Sequence, residues 1–178
     1  MIRRIAVGLI LCLVMAAPAA ARTPAAVVDL TVVSQLSRVA IDADAQLFAL
    51  FGTERAELEA IATELNAQYE ELAIQASIMS ESAINSKYQE LQTRAAALDN
   101  QSMEYTQRLS VIQQSLTMQM QEVLNMACSN YAIRNDIDLI LDGQAALYVL
   151  GSLDITTDII EEVNRVWEAR GSKFTLPN

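Results

Sequence analysis

The sequence predicts an α+β protein in which a long antiparallel coiled-coil helical hairpin projects from a small β base shared between subunits. Three observations predict it. Between Ile84 and Val123 the apolar residues step by four and three, at Ile84, Tyr88, Leu91, Ala95, Leu98, Tyr105, Leu109, Ile112, Leu116 and Val123, with only Ser102 and Gln119 interrupting the seam. Just upstream, Leu58, Leu65, Leu72 and Met79 keep the same seven-residue beat, with Ile61 three residues after the first. No proline falls between Pro24 and Pro177, so long helices are allowed. The polar stretch 80–85 is the expected reversal, and a fold at Ser82 brings Tyr131 opposite Val33 in an arm roughly 70 Å long.

The elements follow in order. Residues 1–21 read as an export signal: Arg3 and Arg4, an apolar run from Ile5 to Ala17 too short to span a membrane, then Ala19, Ala20 and Ala21 before Arg22. Leu11 stands where a lipoprotein cysteine needs a small residue before it, so Cys12 is read as part of that run. The remaining residues, 22–178, are one domain. The run Ala26-Val27-Val28-Asp29-Leu30 suits a strand at about 26–31. The helical arm takes about 32–133, and Gly52, next to Leu47, Phe48, Leu50 and Phe51, weakens its first helix without ending it. A short apolar stretch, Leu139-Ile140-Leu141, marks a strand at about 136–142 with both faces covered, and a further strand is expected at about 145–150 after Gly143. Thr156 or Thr157 caps a helix at about 157–169 with Ile159, Ile160, Val163, Val166 and Trp167 on one face. Gly171 ends it, and the remaining residues to Asn178 are expected to be loose. Three short strands and an isolated hairpin leave apolar faces bare in a single chain, so oligomerisation is expected.

Composition removes several functions. There is no histidine and there are only two lysines, which takes away the commonest acid–base residue, the commonest metal ligand and most Schiff-base chemistry. The formal net charge is −10, or −12 without Arg3 and Arg4, and such a chain repels nucleic acid and anionic lipid. Asp136, Asp138 and Asp142 resemble a calcium loop only superficially, because Ile140 and Leu141 stand where a ligand and a glycine belong. Glu70–Glu71 and Glu161–Glu162 are adjacent on helices and point apart. Cys128, the one cysteine beyond the signal, beside Met126 and Ala127, is read as a small buried hydrophobe. No cofactor, metal site or catalytic residue is expected, and the chain is read as a non-enzyme.

The block Asn135-Asp136-Ile137-Asp138-Leu139-Ile140-Leu141-Asp142, with Tyr148, then Asp154-Ile155-Thr156-Thr157-Asp158-Ile159-Ile160 and Val163-Asn164, resembles the end of the Skp (OmpH-like) periplasmic chaperones. Val27-Val28-Asp29 resembles that family's first strand. The resemblance implies a periplasmic homotrimer with a barrel-like base built from strands of all three subunits, here Val27, Val28, Leu139, Ile140 and Leu141, and three arms enclosing a cavity. It implies an ATP-independent holdase for unfolded outer-membrane β-barrel proteins, with no membrane anchor once the signal is cleaved. One departure concerns charge: arms of that family are basic, whereas residues 54–131 here carry eleven acidic and four basic residues, a net −7. A trimeric envelope scaffold of the same fold, whose acidic arms bind a folded partner, is the alternative reading. Near the arm tip Ile74, Ile78, Met79, Ile84 and Tyr88 exceed what a two-helix seam can cover, and these are the expected client contacts. The competing expectation is that they pack within the hairpin or between arms.

Overall fold

The computed structural model describes residues 24–177; the export-signal reading of residues 1–21 lies outside them. Strand β1 (Ala25–Val28) leads into a short helix α1 (Leu30–Leu36), then α2 (Arg38–Gln75) and α3 (Glu81–Arg134) form the hairpin, and β2 (Leu139–Asp142) and helix α4 (Thr156–Ala169) close the base. β1 and β2 pair in parallel, Ala25 opposite Leu139 through Val28 opposite Asp142. Parallel strands need a crossover, and here the whole hairpin supplies it. On its other side β1 meets the chain again at Asp154, where the Ile155 amide donates to the Val27 carbonyl at 2.9 Å.

β1 is shorter than the sequence predicts, because Asp29 ends it. Its carboxylate accepts from the amides of Thr31 and Val32, and that cap starts α1 at Leu30, so residues 30–31 are helix and not strand. The Asp29 amide donates to Thr156 Oγ1, which donates in turn to Asp154 Oδ1, tying the start of α1 to the start of α4. At Ser37, buried and extended, the helix breaks and restarts. The amide of Arg38 that the break exposes is taken up by Asn164 Oδ1 on α4 at 2.8 Å.

The core lies at the root of the arm. Ile159, Val163, Val166 and Trp167 of α4 pack against Val123 and Ala127 of α3, Val33 of α1, Val39 of α2 and the inward side chains Ala26 and Val28 of β1. Ile160, expected on the same α4 face, lies half-buried at its edge. Trp167 Nε1 donates to Asp42 Oδ2 at 2.6 Å, so the one tryptophan clamps α4 to α2. Glu162 is buried as well, its carboxylate held by Arg134 from α3 and by Arg165.

In the arm, the aromatic pairs Phe51–Tyr105 and Tyr69–Tyr88 and the ion pair Glu64–Arg94 are symmetric about residues 78–79. The reversal therefore sits at residues 76–80, several residues before Ser82. Ser80 is not loop: it is the N-cap of α3, and Glu81 supplies the negative charge that a helix start favours. With 38 and 54 residues the two helices run about 57 and 81 Å. α2 passes through Gly52 unbroken.

Three further expectations are corrected. Residues 136–138 are not strand, because α3 ends there in a left-handed turn at Asp136 (φ 51°), with the Ile137 amide reaching back to the Ala132 carbonyl at 3.0 Å. Residues 145–150 form no strand, since the segment has no partner within the chain and follows a single 3₁₀ turn at 143–145. The residues after Gly171 are not loose but docked on α3, where Gln119 holds the backbone of Thr175.

Candidate functional site

β2 leaves one face of the base uncovered. Ile140 faces the core, while Leu139 and Leu141 alternate outward and are exposed. On β1, Val28 is buried and Val27 half-buried. The expected two-sided cover of Leu139-Ile140-Leu141 is therefore present on one face only. Leu147 and Tyr148 are almost wholly exposed nearby in sequence, and Leu150 and Leu153 are exposed as well. A run of large apolar side chains with one bare sheet face exceeds the scattered exposure normal for a surface. The sequence pattern missed Leu147 and Tyr148 as surface residues because it assigned 145–150 to a strand of the base.

The arm tip carries a second bare apolar surface. Ile74 and Ile78, at 78% and 85% exposure, lie beyond the seam at the end of α2 and in the turn. Met79 does not join them: it packs on the tip cluster of Leu65, Leu72 and Leu91, together with Ile61, Tyr69 and Leu98. Ile84 is half-buried. Tyr88 is 49% exposed and meets Tyr69 edge-on at 6.2 Å between centroids. Of the five residues singled out from the sequence, then, Ile74, Ile78 and part of Tyr88 face solvent. Further down the arm Phe48, Met103, Val111 and Met118 are also exposed, all off the 4-3 seam. Their signal in the sequence was that misfit to the seam.

The electrostatics of the arm follow from its pairing. Arg55 pairs with Glu59, Arg94 with Glu64, and Arg108 with Glu54 while lying 6.0 Å from the Phe51 ring centroid. Three of the four arm cations are thereby spent on arm glutamates, which leaves the remaining carboxylates to set a negative field. At the base, Asp142 accepts from the Gln144 amide and Asp136 occupies the helix end, so both aspartates have turn and cap roles. Among the described residues no group of three or more acidic or cysteine side chains converges as a metal site. Burial pushes the Cys128 thiol up from its ordinary value, against thiolate reactivity. No helix among the described residues is long and apolar enough to cross a membrane.

The model of the family "Outer membrane protein (OmpH-like)" matches residues 24–163. The fold is also similar to the crystal structure of a candidate outer membrane chaperone (OmpH-like) from Caulobacter crescentus. The TM-score is 0.64 at 18% identity, over 89% of this chain and 91% of that one. No curated protein matches the sequence to a significant degree.

Proposed function

This chain belongs to the OmpH-like family, and from that premise we propose that it is an ATP-independent periplasmic holdase that binds unfolded outer-membrane proteins and prevents their aggregation. Its working form in this reading is a homotrimer. The bare β2 face, with Val27, Leu139 and Leu141, and the exposed 147–153 segment join neighbouring subunits into a closed base. The arms then stand around a shared cavity. The observation that carries the reading is the pair of unpartnered apolar surfaces, one at the base and one at the arm tip, on a chain of this family.

The physics of holding suits those surfaces. Covering an isoleucine fully is worth roughly 1.5–3 kcal/mol, so partial contacts with Ile74 and Ile78 are individually weak and readily reversed. Several such contacts from three arms add up to useful retention while leaving release possible without ATP. Negative arms keep separate empty trimers apart. Ile74, Ile78, Met79, Ile84 and Tyr88 remain the proposed client contacts, with Ile74 and Ile78 foremost because they alone are almost bare.

The test is light scattering of a denatured outer-membrane β-barrel protein diluted into the mature chain, with the mass of the complex measured in the same sample. The expected result is suppressed aggregation and a complex of one client per three chains. A stable trimer that leaves aggregation unchanged would sink the holdase reading. The net −7 of the arm favours one second reading, a scaffold whose arms dock on a basic folded partner. Salt separates the two: apolar holding survives moderate salt, while docking by charge weakens steeply.

A further inference from the structure

The family match ends at residue 163, yet the chain beyond α4 is built into the molecule with care. Gly171 takes a left-handed conformation (φ 84°), and the Ser172 amide donates back to the Trp167 carbonyl at 3.1 Å. That helix-ending turn throws the chain back along α3. Phe174 then lies on Trp167, 4.5 Å between ring centroids. At Thr175 the backbone is held in both directions by one side chain: the Thr175 amide donates to Gln119 Oε1 at 2.9 Å, and Gln119 Nε2 donates to the Thr175 carbonyl at 2.8 Å. Leu176 and Pro177 border a hollow of about 690 Å³ lined also by Phe51, Arg108 and Ile112.

Two features of this contact are those of peptide recognition. Residues 174–177 alternate half-buried and exposed, the period of a β-strand laid on a surface. The only bidentate contact is to main-chain atoms, which every residue except proline offers, so Gln119 reads an extended backbone without reading its sequence. Gln119 is also one of the two residues that break the arm's apolar seam, and this contact is what its amide does there.

We propose that the groove along α3 at Gln119, between Trp167 and Phe51, is a binding site for an extended segment of an unfolded polypeptide with an aromatic and an aliphatic side chain two residues apart, and that residues 172–177 are its built-in occupant. The segment acts as a displaceable competitor: it covers the groove when no client is present and yields it when one arrives. This proposal rests on the holdase reading and names one place on the chain where a client strand is held. A tethered occupant raises the apparent dissociation constant of any competitor in proportion to its own effective concentration, commonly millimolar for short links.

The experiment uses the mature chain in three forms: unaltered, truncated after Gly171, and carrying Thr175→Pro, which removes the amide that Gln119 accepts from. A fluorescein-labelled peptide of residues 172–178 is titrated into each, with Trp167 emission read in parallel. The expected result is saturable binding by both released forms, at least tenfold weaker binding by the unaltered chain, and loss of binding when Gln119→Leu is added to Thr175→Pro. A scrambled peptide is expected not to bind. In the aggregation assay the released forms should protect a denatured β-barrel protein at a lower ratio of chaperone to client. Released forms that keep the helical circular dichroism of the unaltered chain yet fail to bind the peptide overturn the proposal, and so does binding that leaves client protection unchanged. In either case protection by the unaltered chain still upholds the holdase reading; absence of protection in all three forms takes down both.

Discussion

The base and the arm are built from the same helices on opposite principles. At the base α3 packs against α4 and β2 as well as α2, and Val123, Ala127 and Ile159 lose all contact with solvent. Along the arm α3 has one partner, α2, and the tip cluster consists of only Leu65, Leu72 and Leu91 with half-buried neighbours. A helix with one partner covers a narrow stripe and leaves the rest of its circumference to water. The lesson is a division of labour: stability resides where helices are surrounded, and the arm can keep apolar groups uncovered because the fold does not depend on them.

Truncating one buried side chain in each region separates base from arm most strongly. Ile159→Ala should cost about 4 kcal/mol, near the upper end for an aliphatic truncation, because the site is fully enclosed on several sides. Leu91→Ala in the arm should cost about 2 kcal/mol, since two facing helices close more easily over a gap and water reaches the rim. Urea unfolding checks both. Equal losses would mean that the arm is as tightly coupled to the fold as the base. Hydrogen exchange sharpens the point: amides of α3 around Leu91 should exchange faster than those around Val123.

The buried carboxylate supplies the next effect in size and a pH dependence. Hydrogen bonding from Arg134, with help from the charge of Arg165, holds the Glu162 carboxyl below the usual carboxylate range against the opposing effect of burial. A group whose folded value is depressed contributes stability that is present above its unfolded value and disappears as pH falls through the folded one. Glu162→Gln should therefore lower stability at neutral pH by about 1–2 kcal/mol, modest because both arginines are partly exposed. The difference between the two proteins should vanish in acid. A difference that persists at low pH would show that packing, and not the ion pair, is what the substitution disturbs.

How much of this was visible in the sequence follows the same division. The arm was legible because one repeating signal governs it: Leu65, Leu72, Leu91, Leu116 and Val123 all lie on the seam and all are buried. Its turn was misplaced by a few residues because Ser80, polar and next to Glu81 and Ser82, reads equally as loop or as helix cap, and only the cap hydrogen bond to the Ala83 amide separates them. The base was harder, since its elements are short and take their form from distant partners. Nothing local tells that Asn164 receives the Arg38 amide or that Gln119 receives Thr175. The 145–150 segment has strand-forming residues without an intrachain strand to pair with, so its pattern described a preference that a single chain does not satisfy.

The smallest expected effect on stability is the most telling for function. Ile78 lies in the turn at the tip, 85% exposed, and Ile74 nearby is 78% exposed. Replacing both by serine removes apolar surface that the folded chain never buries, so the free energy of unfolding measured in urea should stay within about 0.5 kcal/mol of the unaltered chain's. Protection of a denatured β-barrel protein should nevertheless fall severalfold, because the lost contacts exist only with a client present. The same exchange at Met79 reverses the pattern, since Met79 packs on Leu65, Leu72 and Leu91 and its loss is felt by the fold. If Ile74→Ser/Ile78→Ser leaves protection intact, the tip is not where clients are held. The mid-arm side chains Phe48, Met103 and Val111 then become the surface to test.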